Sequence, residues 1–266
     1  MENAIENEFI IQKIKEADMV LVGIGEEFDE ARYLKNSDGY QHACEVLRKK
    51  DMEWALPALD RAVLAKEDGQ LKQAYEALNR LLEGKNYFIL TTVANDLIWD
   101  SGLNPERIAA PCGGSRRKQC PDGCSEGLLE VSGEEWEGSR RMLLELAAGE
   151  GDRAGSPVSG ICPGCQKPLV FNNIFNEHYD ENGYLPSWQL YTKWLQGTLN
   201  RKLCVLELGV LMKLPNIIRW PFEKAAYFNQ KASFIRVNER LYQLSKELSD
   251  KGISVPQNAL DWLCGL

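Results

Sequence analysis

Four of the eight cysteines fall in two close pairs, Cys120-Pro-Asp-Gly-Cys124 and Cys162-Pro-Gly-Cys165. The Pro and Gly residues inside each pair favour tight turns. Each turn can aim two thiolates at one point about 2.3 Å from a zinc ion. Two such turns complete a tetrahedral site with no open position, which is the chemistry of structural rather than catalytic zinc. Two disulfides, or four unrelated thiols, are the alternative. Zinc is favoured because no targeting segment is expected ahead of the first helix and because Cys44, Cys112, Cys204 and Cys264 remain outside the pattern.

The elements that must carry these turns are legible as short apolar runs. Met19 to Gly23, Tyr87 to Thr92, Leu203 to Leu208 and Ser233 to Val237 read as buried parallel strands, with helical patterns between them. Phe9, Ile10 and Ile14 fit one face of a helix before the first strand. Strands alternating with helices predict an α/β fold, a Rossmann-like doubly wound parallel sheet with an inserted zinc-binding module and a helical module. The expected organisation is one domain over 1–266. Its core is 1–110 and 176–266, its helical module 41–82, and its zinc-binding insertion 111–175. Within the insertion, Leu128 to Val131 reads as a strand, Glu134 to Ala148 as a helix and Gly149 to Gly160 as a Gly/Ser-rich loop, and a helix is expected from Pro186 to Leu199.

With 266 residues, 44% of them hydrophobic, the chain can bury one sizeable core and a small satellite module. A net charge of −8 argues against nucleic acid or an anionic membrane as partner, and the basic run Arg116-Arg117-Lys118 is short. No apolar stretch approaches the roughly 20 residues needed to span a bilayer, so the expected location is cytoplasmic.

Several motifs taken together resemble one family. Gly23-Ile24-Gly25 follows the first strand, Thr91-Thr92 ends an inner one, and four cysteines mark an insertion. A late segment reads Leu206-Glu-Leu-Gly-Val210, then Pro215-Asn-Ile-Ile-Arg-Trp-Pro-Phe222 and Ile235-Arg-Val-Asn238. This set resembles the sirtuins, and within them the macrodomain-linked class most closely. The resemblance spans most of the chain. It implies NAD or ADP-ribose as the bound nucleotide, with NAD consumed as nicotinamide is released. It also implies protein ADP-ribosylation or deacylation, with an acylated or lipoylated carrier protein as partner.

Carried over residue by residue, the resemblance assigns nucleotide contacts to Gly23, Gly25, Thr92, Gly209, Val210 and Asn238. The catalytic positions depart from it. In the family loop Thr-x-Asn-x-Asp, this chain places Val93 at the asparagine and Asn95 at the aspartate. Valine offers no hydrogen bond, whereas Asn95 can still pair with a carboxamide, and a local slip would recruit Asn95 to the catalytic role. Counting back from Cys120 puts Cys112 at the position of the general base. A cysteine thiol with a pKa of about 8.5 is a poor proton acceptor. A neighbouring Arg116 or Arg117 could lower it and make Cys112 a base or nucleophile; the plainer reading is a small, half-buried residue in a Gly-rich turn. His42 and His178 are expected at the surface. Glu26 and Glu27, next to Gly25, would repel a pyrophosphate or else point into solvent at a helix N-terminus.

Three readings follow. The favoured one is a sirtuin-like NAD(H)/ADP-ribose-binding protein with impaired or lost turnover, a pseudoenzyme. The others are an active ADP-ribosyltransferase or deacylase with an unconventional site, and a zinc-stapled interaction protein that binds no nucleotide. Val93 and Cys112 separate the active reading from the rest; Glu26 and Glu27 separate the other two.

Overall fold

The computed structural model describes residues 2–29, 34–65, 69–124, 127–150 and 155–266. Part of the expected 149–160 loop lies outside them. The chain runs α1 (Glu2–Glu16), β1 (Met19–Ile24), α2 (Asp38–Lys49), α3 (Leu56–Leu64), α4 (Gln70–Leu81), β2 (Asn86–Thr91) and β3 (Ile108–Ala109). Next come β4 (Gly113–Gln119), β5 (Leu129–Glu130), α5 (Gly133–Ala147), β6 (Val170–Asn173) and α6 (Leu185–Gln196). It closes with β7 (Leu203–Leu208), α7 (Arg219–Phe228), β8 (Ser233–Val237), β9 (Gly252–Val255) and α8 (Ala259–Cys264).

Six strands form one sheet in the order β3-β2-β1-β7-β8-β9, and every pairing is parallel. The chain winds outward from β1 in one direction, then returns to β7 on its other side, so the order reverses between β1 and β7. That reversal is where an open α/β sheet leaves a crevice at the carboxyl ends of its strands.

Strand alternation assigns each side chain to a face. Val20, Val22 and Ile24 enter one core with Ile10 and Ile14 of α1, Leu71 and Leu78 of α4, and Trp262 of α8. Met19 and Leu21 enter the opposite core with Tyr191 and Trp194 of α6 and Phe222 of α7. All six residues of β1 are buried, and burying each large aliphatic chain among them contributes roughly 1.5–3 kcal/mol.

The 41–82 helices divide between two cores. α4 packs on α8 beside the sheet, whereas α2 and α3 pack against α5 in a third cluster that also holds Cys120, Cys162 and Phe171. That cluster sits on a small antiparallel sheet in the order β5-β4-β6. α5 begins at a capping box, with Ser132 accepting from the Glu135 amide and Glu135 accepting from the Ser132 amide.

The face of the large sheet toward α7 carries a charge network. Glu207 on β7 is opposite Arg236 on β8 in register, and Arg236 Nε donates to Glu207 Oε1 at 2.7 Å. Arg219 of α7 lies 2.9 Å from the same oxygen. Glu207 is fully buried, so these guanidiniums are the condition of its ionised state.

Candidate functional site

The four zinc-motif cysteines converge. Cys120 leaves the end of β4, and Cys162 begins a knuckle closed by a bridge between Ile161 and Pro168. Sulfur separations are 3.4 Å for Cys120–Cys124, 3.6 Å for Cys120–Cys165 and 3.4 Å for Cys124–Cys162. All four sulfurs lie within 4.8 Å of one another. An ion held at about 2.3 Å by four thiolates needs sulfur edges of roughly 3.8 Å, so the cluster fits a tetrahedral zinc with little adjustment. None of the cysteines forms a disulfide. Gly123 takes a positive φ of 63° in the first turn, and Lys167 bridges to Asp122 across the two turns at 2.7 Å.

At the carboxyl end of β1 the chain is tied down by its neighbours. Gly25 donates to Leu208 O at 2.9 Å, Glu27 N to Gly209 O at 3.0 Å, and Gly209 N to Val237 O at 2.8 Å. The space over Gly25 is already filled: a Cβ there would lie 2.4 Å from Val210 Cα. At Gly23 it would lie 2.4 Å from Ile218 Cγ2. At these points the glycines serve close packing within the chain. Gly209 takes φ +63°, and a side chain there would meet Glu27 Cβ at 2.4 Å.

The two glutamates do not point into solvent as a helix N-terminus would allow. Glu27 is 1% exposed. Its Oε1 accepts from Glu239 N at 2.9 Å and its Oε2 from Ala259 N, at the start of α8, at 2.7 Å. Glu26 Oε2 accepts from Leu211 N at 2.7 Å. Backbone amides at strand ends and helix starts are what an open α/β fold offers to phosphate. Here three of them are taken by carboxylates. Two like charges ~4 Å apart at an effective dielectric near 20 repel by about 4 kcal/mol, the repulsion a phosphate placed beside these carboxylates would meet.

Asn238 and Val210 are likewise committed inward. Asn238 is fully buried, donates to Val210 O at 3.0 Å and accepts from Arg240 N and Leu241 N. Val210 is buried, and its carbonyl also accepts from Arg219 Nη2 at 2.6 Å.

A small cleft of about 70 Å³ remains beside this region, where the loop after β2 faces Leu56, Phe175 and Lys213. It brings Thr92, Val93 and Asn95 together with Glu26, Asp29 and Asp60. Thr92 Oγ1 is buried there without a partner among the described residues. The Asn95 amide is spent locally, donating to Phe28 O at 3.4 Å and accepting from Leu97 N at 3.2 Å. Val93 packs into the sheet core. Asp60 accepts from Tyr40 Oη at 2.6 Å, and burial, then the Asp29 charge, push its carboxyl up to about 7. Sequence reading missed Asp60, Asp29 and Lys213, because nothing local in the chain marks a carboxylate that only tertiary packing brings to the cleft.

Cys112 is 1% exposed rather than half-buried. Activation by Arg116 or Arg117 does not occur: Arg116 lies over the Trp99 ring at 5.7 Å and Arg117 pairs with Glu130 at 2.7 Å. Burial pushes the Cys112 thiol up to about 12, against the opposing pull of Lys213. His42 and His178 are both exposed. Among the residues that line the cleft there is neither a histidine nor Cys112.

Among solved structures, the chain is similar to a Sir2 homologue in complex with NAD, at 14% identity and a TM-score of 0.56, with 97% of this chain and 91% of that one covered. It is similar as well to Sir2 bound to acetylated peptide, at 11% identity and a TM-score of 0.56, covering 96% and 94%. The fold is the sirtuin fold. In sequence the chain is 22% identical over 195 residues to a protein ADP-ribosyltransferase of Staphylococcus aureus. That match takes in 72% of this chain and 59% of the relative, so the chain spans little more than half of that protein's length. No family model matches the chain.

Two outcomes are expected. Protein prepared without chelator carries one zinc per chain by metal analysis, and Cys162→Ser loses both the metal and, on the order of 10 kcal/mol, the folding free energy the ion contributes; full metal content in that variant contradicts the assignment. Because a raised pKa keeps a thiol protonated below it, iodoacetamide at pH 8 should label exposed Cys264 in the native chain and leave Cys112 unmodified by peptide mass spectrometry. Equal labelling of the two would mean that Cys112 is an accessible thiolate.

Proposed function

We propose that this chain is a protein of sirtuin descent that does not turn over NAD, and in which NAD or ADP-ribose binding is weakened to millimolar or beyond because its own carboxylates hold the phosphate site. The observation that carries this reading is the buried Glu27 carboxylate on the Glu239 and Ala259 amides. Val93 and Cys112 support the loss of chemistry. A valine cannot order the ribose, and a thiol titrating near 12 cannot take its proton. Positioned general bases contribute roughly 10²–10⁴-fold, and the missing asparagine compounds that loss.

The sirtuin fold and the likeness to an ADP-ribosyltransferase support descent from an NAD-consuming transferase. The partner implied by that descent is an acylated or lipoylated carrier protein, met by the face that joins the zinc-binding module to the sheet. Four reduced cysteines holding zinc suit the cytoplasm. No described helix is long and apolar enough to cross a membrane. One observation favours the active alternative, the Asp60 carboxyl near neutrality in the cleft, since a base is most effective when its pKa lies near the working pH.

The test is nicotinamide release from NAD, with acyl-lysine peptides and a lipoylated carrier protein supplied, alongside calorimetric titration with NAD. The unmodified chain should release none above background, while a Glu26→Ala, Glu27→Ser double variant should gain at least tenfold in NAD affinity. Robust release by the unmodified chain, abolished by Asp60→Asn or Cys112→Ala, would overturn the proposal in favour of an active transferase.

A further inference from the structure

A cavity of about 330 Å³ lies between the 96–110 segment after β2, strands β4 and β6, and the start of α6. That volume falls in the range of small-molecule sites, roughly 300–1,000 Å³. It shares no lining residue with the cleft of Glu26 and Asp60. Two acceptor oxygens reach it from side chains that are almost fully buried, Asp96 at 4% and Asn172 at 3% exposed. Asp96 takes φ +61°, and its Oδ2 accepts from both the amide and the hydroxyl of Ser115, the hydroxyl at 2.7 Å. Asn172 Nδ2 donates to Gln119 Oε1 and to Asp180 O, the latter at 2.9 Å. These bonds fix both side chains and leave Asp96 Oδ1 and Asn172 Oδ1 with no donor among the described residues. Neither oxygen is sealed from solvent, so both face the cavity that their residues line. Glycines give them room: a Cβ at Gly114 would lie 2.2 Å from Asp96 Oδ1, and one at Gly183 would lie 2.5 Å from Asn172 Oδ1.

A carboxylate and an amide oxygen held in this way call for N–H donors, and a charged donor satisfies them best. Burial pushes the Asp96 carboxyl up, and the Arg61 charge and the Ser115 bonds oppose it; a bound ammonium would act with them. At the mouth the unpaired charge is positive. Arg116 is exposed, lies over the Trp99 ring at 5.7 Å and has no carboxylate within ion-pair distance among the described residues. Arg117 and Glu130 also line the mouth, but they pair with each other at 2.7 Å. Because Asp96 is bonded to the residue before Arg116, the inner acceptor and the outer guanidinium lie close together. Ile108, Ala110 and Pro105 supply apolar wall beside them. The complement of this arrangement is a small molecule with an ammonium, a carboxylate next to it and an apolar remainder.

We propose that this cavity binds a free apolar α-amino acid, its ammonium donating to Asp96 Oδ1 and Asn172 Oδ1 and its carboxylate meeting Arg116. The proposal does not rest on the reading of the cleft at the carboxyl ends of the strands.

Calorimetric titration of the whole chain with leucine and with phenylalanine, each beside its N-acetyl and its amide derivative, tests it. The better-bound amino acid should bind at least tenfold more tightly than either of its derivatives, since acetylation removes the charged donor and amidation the anion. Arg116→Gln should lose at least tenfold in that affinity with its melting temperature unchanged, the side chain being exposed. Asp96→Asn should lose as much, and because Asp96 also holds Ser115, its melting curve is recorded alongside. No binding of either amino acid at millimolar concentration, a derivative that binds as tightly as its parent, or affinity that survives Arg116→Gln overturns the proposal.

Discussion

The Glu27 carboxylate sits where β1, β7 and β8 end and where α8 begins, and the arrangement of that whole edge depends on it. A carboxylate 1% exposed must find hydrogen-bond donors, because the desolvation cost of an unpaired buried charge is several kcal/mol. The amides of Glu239 and Ala259 supply them. Satisfying that demand draws in the Gly209 turn, whose positive φ and missing side chain make room for Glu27 Cβ, and brings the Val210 backbone down on Gly25. At the sheet reversal, carboxylates of the chain hold the amides of Leu211, Glu239 and Ala259.

Chemistry at this edge and stability at this edge therefore compete for the same donors. The fold remains intact because its determinants lie elsewhere, in two apolar layers on either face of the sheet and in the four-cysteine cluster beside the small antiparallel sheet. The buried Glu207 with Arg236 and Arg219 extends the same logic to the α7 face, where a charge on β7 is held by partners from two other elements. Arg219 joins the two regions, since it also donates to Val210 O above Gly25.

Much of this was legible in the sequence. The four long inner strands lie within a residue of where their apolar runs place them, since a strand buried on both faces reads as a continuous hydrophobic segment. The cysteine turns converge as their spacing implies. β3 and β9 escaped notice because they are short edge strands, and β4 because Gly-Gly-Ser-Arg-Arg-Lys-Gln is polar in composition although mostly buried, and so shows no hydrophobic pattern. At the site, Glu26 and Glu27 were recognisable as incompatible with a pyrophosphate, but not as groups that would replace it. Their amide partners lie about 185 to 232 residues away in the chain, a distance over which no local pattern carries information. The same separation hid Asp60 and Lys213 from view, and burial decided the state of Cys112 where only its neighbours in sequence could be weighed.

The central claim is that carboxylates of the chain occupy the donors that would otherwise hold phosphate. The most direct measurement follows the backbone amide resonances of Leu211, Glu239 and Ala259 while ADP-ribose is added to the unmodified chain. The account predicts that all three stay where they are up to millimolar ligand, because each remains bonded to Glu26 or Glu27. Saturable shifts of these three amides at micromolar ADP-ribose would show the phosphate site to be open, and would contradict it.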